Sequence, residues 1–498
     1  MKRAIALAAT VAGITAGWTL LGRSSSAAPT QTADAGTGAP MATTPALAAP
    51  PLAATPQPPV SRVFPYPMTA ATLPNGLSVV LVPYDSPGLV AYYTLVRVGS
   101  RNEVEPGHSG FAHLFEHMMF RGTKKHPAGQ WEQQLRGRGV DSNAFTSNDQ
   151  TVYTFILPTR ALPTLVELEA DRFQNLSYTE EVFKTETKAV FGEYQKNFSN
   201  PAEKLEEVLF DTAFDKHPYK HTTMGFLADI AAMPTRHDYG LQFFQRFYRP
   251  DNCTVFVLGD FEPRATLELL QKHYGTWSGK AEQQNVAAEP QQTAERRKHL
   301  DWDTPTKPRL MVGYKTPSLG TDLAAAAVQN ILGPYLFGES SPLYRDLVLG
   351  RQLAEGVRSQ YLDTREPRLF YFLATLKSEA ALPEVEKSMA LAITELAAGT
   401  VDQRRLDDVK SNLRYSMMMS LETPGQLAEA LALSAAPTGD PQSLNALYDR
   451  IAATTAAELA AFAKKYLVAR NRTTISLARR LPGTPAVPSP PAPKAVPK

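Results

Sequence analysis

One cysteine, Cys253, stands in 498 residues, and a lone thiol excludes any intrachain disulfide framework. It follows Asn252 and precedes the apolar run 254–258, where it reads as a buried strand thiol. An excess of one charge is also lacking: 51 Lys and Arg offset 49 Asp and Glu to a net +2, with no long basic run. That balance argues against a nucleic-acid partner. Beyond Leu21 no apolar stretch is long enough to cross a bilayer. Histidine is scarce, with nine in the chain. What is present is ordinary globular composition, 43% hydrophobic and 20% charged, in a chain long enough to need more than one domain.

Lys2 and Arg3 precede an apolar run over 4–21 and then Ser24-Ser25-Ser26-Ala27-Ala28. Residues 1–28 thus read as a secretory signal cut after Ala27, with an uncleaved membrane anchor as the alternative. No Cys follows, so it is not a lipoprotein signal. Export without disulfides points to a bacterial periplasmic or cell-surface protein. Residues 29–62 are Ala/Pro/Thr-rich and 482–498 Pro-rich, which predicts a disordered tether and tail. Between them, blocks at 63–279 and 300–481 flank a polar linker at 280–299.

The blocks look like a diverged internal repeat. Asn252-Cys253-Thr254-Val255-Phe256 near the end of the first is similar to Asn471-Arg472-Thr473-Thr474-Ile475 near the end of the second, and each follows a helical segment ending in Tyr248 or Tyr466. Strand-like runs at 78–82, 91–96 and 369–373 alternate with helical patterns such as 161–175 and 383–398. The mixture predicts an α+β fold.

Chemistry concentrates at His113-Leu114-Phe115-Glu116-His117. Two imidazoles four apart share one helix face, a turn apart, with a carboxylate beside them. Such a set can hold zinc with an acid–base group next to it, in the order H-x-x-E-H. Gly107 and Gly110 break the preceding segment, Ser109 is the expected N-cap, and Gly122 ends the helix. His217 and His221 share the spacing, but Pro218 lies between them, so they read as a loop and not as ligands.

A catalytic zinc needs a third ligand. A second helix opens at Thr179 as N-cap, with Val182, Phe183, Ala189, Val190 and Tyr194 as apolar positions. On it, Glu186 and Glu193 are seven apart and share a face.

With these motifs the chain resembles the pitrilysin/insulinase family of zinc peptidases, in its short two-domain form similar to the mitochondrial processing peptidase subunits. In that family a ligand Glu follows the inverted motif by about 75 residues, with another Glu seven before it. Here 193 − 117 = 76 and 193 − 186 = 7. The segments Arg97-Val98-Gly99-Ser100-Arg101-Asn102-Glu103 and Tyr248-Arg249-Pro250-Asp251-Asn252 are also similar to the family's pattern. The resemblance implies one Zn2+ per chain on His113, His117 and Glu193, Glu116 as general base, and Glu186 as a carboxylate tuning the site. It implies that Asn143, Ala144 and Phe145 lie on a substrate-binding edge strand, and that the chain folds as two like α/β-roll domains.

One departure bears on partners. Active single-chain members carry an Arg and a Tyr seven apart that hold the substrate carbonyl; Val348 and Glu355 stand at the matching positions. Neither can donate as a guanidinium or phenol does. A register shift to Arg345, Arg351 or Tyr361 is the lesser option. The expected partner is therefore a homologous subunit supplying the Arg/Tyr pair in a heterodimer, ahead of a homodimer, with a peptide as substrate. The competing expectation is a member without catalysis, acting as an assembly or peptide-binding subunit.

Overall fold

A computed structural model describes residues 62–480 of the chain. The expected signal segment, the tether up to residue 61 and the Pro-rich tail lie outside those residues. No helix among the described residues is long and apolar enough to cross a membrane.

Among the described residues two sheets organise the fold. The first has six strands, β1 (Thr69–Thr72), β2 (Ser78–Pro83), β3 (Leu89–Val96), β4 (Asp141–Thr146), β5 (Thr151–Pro158) and β6 (Cys253–Gly259), in the spatial order β1-β2-β6-β3-β5-β4. The second has five, β7 (Arg296–Trp302), β8 (Arg309–Thr316), β9 (Ala354–Gln360), β10 (Arg368–Leu376) and β11 (Arg472–Arg479), in the order β7-β11-β8-β10-β9. β2 runs parallel to β6, and β7 parallel to β11; the other neighbouring pairs are antiparallel. With β1 set aside, the two orders match strand for strand, so the repeat extends to topology. Matching asparagines show it in detail. Asn252 Nδ2 donates to Phe247 O at 2.9 Å and Arg97 O at 3.4 Å, and Asn471 Nδ2 to Tyr466 O at 2.8 Å and Lys315 O at 2.7 Å. Each amide ties the helix before its strand to the neighbouring strand. β7 begins inside the stretch 280–299 expected as linker, because Arg296–His299 pair with Thr473–Ser476 of β11.

Helices cover both sheets. Those that matter for the site are α1 (Phe111–Met118), α2 (Leu162–Asn175), α3 (Glu180–Asn197) and α4 (Pro201–Ala213) in the first half, and α5 (Leu323–Phe337), α6 (Gln403–Ser420) and α7 (Pro424–Thr438) in the second. Alternate residues of a strand face opposite sides, so a run buried throughout, such as β6, must be covered twice. On one face Val255 and Val257 join Phe111 and Phe115 of α1. On the other, Phe256 and Leu258 pack with Leu427 and Leu431 of α7, a helix of the second half. The arrangement is reciprocal: Leu205, Leu209 and Phe210 of α4 pack on Met311, Leu369, Tyr371 and Ile475 of the second sheet. Each half thus lends one helix to the other's sheet. Both lent helices open with Pro at their first turn, behind the N-caps Asn200 and Thr423.

Candidate metal centre

α1 carries both imidazoles and packs against α3. Its start differs from the expectation for Ser109. The N-cap is Gly110, left-handed at φ 92°, because the backbone at Gly225 lies against it; a Cβ on Gly110 would meet Met224 O at 2.5 Å. Ser109 Oγ instead donates to Asp229 Oδ2 at 2.6 Å and accepts from Phe226 N at 2.8 Å. The helix runs on through a 3-10 turn to Arg121 and stops at Gly122, φ 79°. α3 starts as expected, with the Thr179 side chain accepting from Val182 N at 3.3 Å. On α3, Ala189 is exposed and Thr187 is buried, the reverse of the apolar pattern, because the inward face turns through Glu186, Thr187 and Val190.

The two helices bring His113, His117 and Glu193 together. Glu193 Oε2 lies 3.7 Å from His113 Nε2 and 3.5 Å from His117 Nε2. Ligands on a tetrahedral zinc with bonds near 2.1 Å stand about 3.4 Å apart, so this spacing fits the ion with little movement. Among the described residues this is the one group of three or more His, Cys, Asp or Glu placed to hold a metal, with donor atoms within 4.8 Å of one another. Two imidazole nitrogens and a carboxylate oxygen suit zinc chemically. Burial lowers the pKa of His113, which favours the neutral, metal-binding form. Burial also opposes charge on His117, but its contact with Glu193 and the nearby Glu116 and Glu186 outweigh that and raise its pKa. Glu193 is held low by its contact with His117, against the effect of burial.

Glu186 is buried and sits behind His117 rather than among the three: its Oε2 is 3.8 Å from His117 Nδ1 and 3.1 Å from an Arg121 guanidinium nitrogen. Glu116 accepts a hydrogen bond from Thr146 Oγ1 at 2.7 Å. Thr146 ends β4, the outermost strand on its side of the first sheet, which carries Asn143 exposed, Ala144 buried and Phe145 half-buried. His217 and His221 diverge: His217 Nε2 faces Glu366 at 3.7 Å and His221 Nε2 faces Glu103 at 3.8 Å. In the second half, Val348 packs half-buried on the core and Glu355 is exposed, paired with Lys307. Arg345 is exposed, Arg351 is engaged by Asp346 and Ser388, and Tyr361 stands beside Asp363. Thr146, Arg121 and Glu103 contact the site or its helix and had no assigned role from sequence; for Thr146 the signal was its place after Asn143-Ala144-Phe145.

Residues 79–226 match the family model described as Insulinase (Peptidase family M16), and residues 240–413 the one described as Peptidase M16 inactive domain. Zinc protease PqqE of Helicobacter pylori is 31% identical over 378 residues, 73% of this chain and 82% of that protein. The chain belongs to peptidase family M16. A second M16 relative, the probable mitochondrial-processing peptidase subunit beta of Schizosaccharomyces pombe, is 26% identical over 415 residues, covering 80% of this chain and 88% of that one. The crystal structure of a protease from Helicobacter pylori superimposes with a TM-score of 0.77 at 28% identity, over 83% of this chain and all of that one.

Proposed function

We propose that this chain is the zinc-holding, peptide-hydrolysing subunit of an exported M16 peptidase. The convergence of His113 Nε2, His117 Nε2 and Glu193 Oε2 carries the reading. These three residues would hold the ion. When bound, zinc supplies a Lewis acid that polarises a peptide carbonyl and makes a coordinated water more acidic. Glu116 takes the proton of the attacking water and returns it to the leaving amide nitrogen, with Thr146 holding its carboxylate in place. The free edge of β4 at Asn143, Ala144 and Phe145 pairs with an extended peptide backbone, which selects oligopeptides and unfolded segments over folded chains. Glu186 sets the orientation of the His117 ring from behind, and Arg121 balances its charge.

The substrate carbonyl also needs donors that Val348 and Glu355 do not provide. A homologous subunit with an Arg/Tyr pair completes the site as a heterodimer, in keeping with a relative named as a subunit. Export to the periplasm is read from Lys2, Arg3 and the apolar run after them. The test is Glu116→Gln: peptide cleavage falls by roughly 10²–10⁴-fold while bound zinc is unchanged. Retained turnover removes Glu116 from its role.

A further inference from the structure

α1 is eight residues long, too short to be stable alone, yet it must fix two imidazoles and Glu116 relative to one another. A buried polar side chain meets each of its ends. At the start, Glu103 Oε2 accepts from Gly110 N at 2.7 Å and Oε1 from Ala112 N at 2.8 Å, with only 5% of Glu103 exposed. At the far end, a guanidinium nitrogen of the fully buried Arg172 donates to Met119 O, the C-cap, at 3.2 Å. Tyr153 Oη adds a bond to Phe115 O at 3.0 Å. Arg172 is enclosed by the rings of Phe120, Trp131, Tyr153, Phe155 and Phe173, with centroids 4.7–5.6 Å away, and is paired with Glu169 at 2.7 Å.

Acceptors at the first amides and a cation at the last carbonyls are what the ends of a helix call for; burial pushes the Glu103 carboxyl up to about 8, so it serves there chiefly as a hydrogen-bond acceptor. Buried charges are costly to desolvate, and stability alone is a weak reason to keep them. Neither residue is among the groups brought to the ion. We infer that Glu103 and Arg172 are positioning residues, clamping α1 at both ends so that His113, Glu116 and His117 keep the geometry the metal needs. The inference rests on reading His113, His117 and Glu193 as the zinc site.

The experiment is a competitive titration of the full metal-free chain with zinc ion against a chelator, each variant first checked for native circular dichroism. Glu103→Gln is near-isosteric. The double variant Glu169→Gln/Arg172→Met removes the buried pair without stranding a charge. A control, Glu289→Gln/Lys315→Met, removes a half-buried pair, 2.6 Å apart, that does not touch α1. Folded clamp variants should bind zinc about 10- to 100-fold more weakly, the range for groups that support ligands, and the control should match wild type. If the pair variant does not fold, Glu103→Gln decides. Wild-type affinity in a folded clamp variant, or an equal loss in the control, overturns the positioning role while leaving the metal site intact. A wild-type chain that binds no zinc overturns both.

Discussion

Thr146 Oγ1 donates to Glu116 Oε2 at 2.7 Å, joining the last residue of the sheet's edge strand to the carboxylate of the imidazole helix. On the proposed function, a peptide aligned along β4 meets Glu116 where the strand ends. A hydrogen bond to a charged group contributes about 1.5–3 kcal/mol. Thr146→Val should then lower kcat by about 10- to 100-fold with zinc content unchanged, and Thr146→Ser should restore it. Equal activity in the Val and Ser variants would separate Thr146 from Glu116.

Glu193 and Glu186 lie on one face of α3 but at different depths: Glu193 faces both Nε2 atoms, and Glu186 faces only the rear of His117. Loss of a supporting group costs about 10- to 100-fold in metal affinity. Glu186→Ala should fall in that range and Glu193→Ala well beyond it, as measured by chelator competition. Equal losses would mean that the ligand is misassigned.

The two halves are joined by a charged contact whose strength depends on pH. Arg101 of the first pairs with Glu366 of the second, and Tyr219 Oη donates to Asp149 at 2.6 Å alongside. Burial acts to raise Glu366, but its contacts with His217 and Arg101 win and hold it down at about 2, against an ordinary 4.5. A carboxyl with a depressed folded pKa stabilises fully above its unfolded value and loses that contribution as pH falls through the folded one. The contribution is complete above about pH 4.5 and fades towards pH 2. Thermal melts across that interval should show Glu366→Gln less stable at neutral pH and less sensitive to acid. Parallel curves for the two proteins would contradict the assignment.

Val348 is half-buried on the core and Glu355 is taken up by Lys307, so neither is poised to hold a substrate carbonyl. The purified chain should cleave an unstructured peptide very slowly, and addition of a homologous subunit bearing the Arg/Tyr pair should raise the rate. Full activity in a proven monomer or homodimer would remove the need for a partner.

The convergence of His113, His117 and Glu193 was legible because helix spacing alone places His113 beside His117, while the interval to Glu193 came through family resemblance. The repeat was legible from Asn252 and Asn471, whose identical bonds explain why both are asparagine. Local rules failed where distant chain segments decide. Ser109 has a capping side chain, yet the close packing of Gly225 on Gly110 moved the cap by one residue and left Ser109 to Asp229. Ala189 fits an apolar pattern, but Glu186 and Thr187 hold the buried face. The sequence patterns of α4 and α7 show that each buries a face without showing that the sheet beneath belongs to the other half. Glu169 is a local i,i+3 partner of Arg172 on α2, but nothing local marks Glu103 or Arg172 as buried, since Gly110, Ala112 and Met119 are brought to them by the fold.

A zinc-edge anomalous map of the crystallised chain locates the ion itself. One peak per chain is expected, about 2.0–2.2 Å from His113 Nε2, His117 Nε2 and a Glu193 carboxylate oxygen. A peak at other residues, or no peak from crystals grown in zinc, would contradict the proposed zinc site.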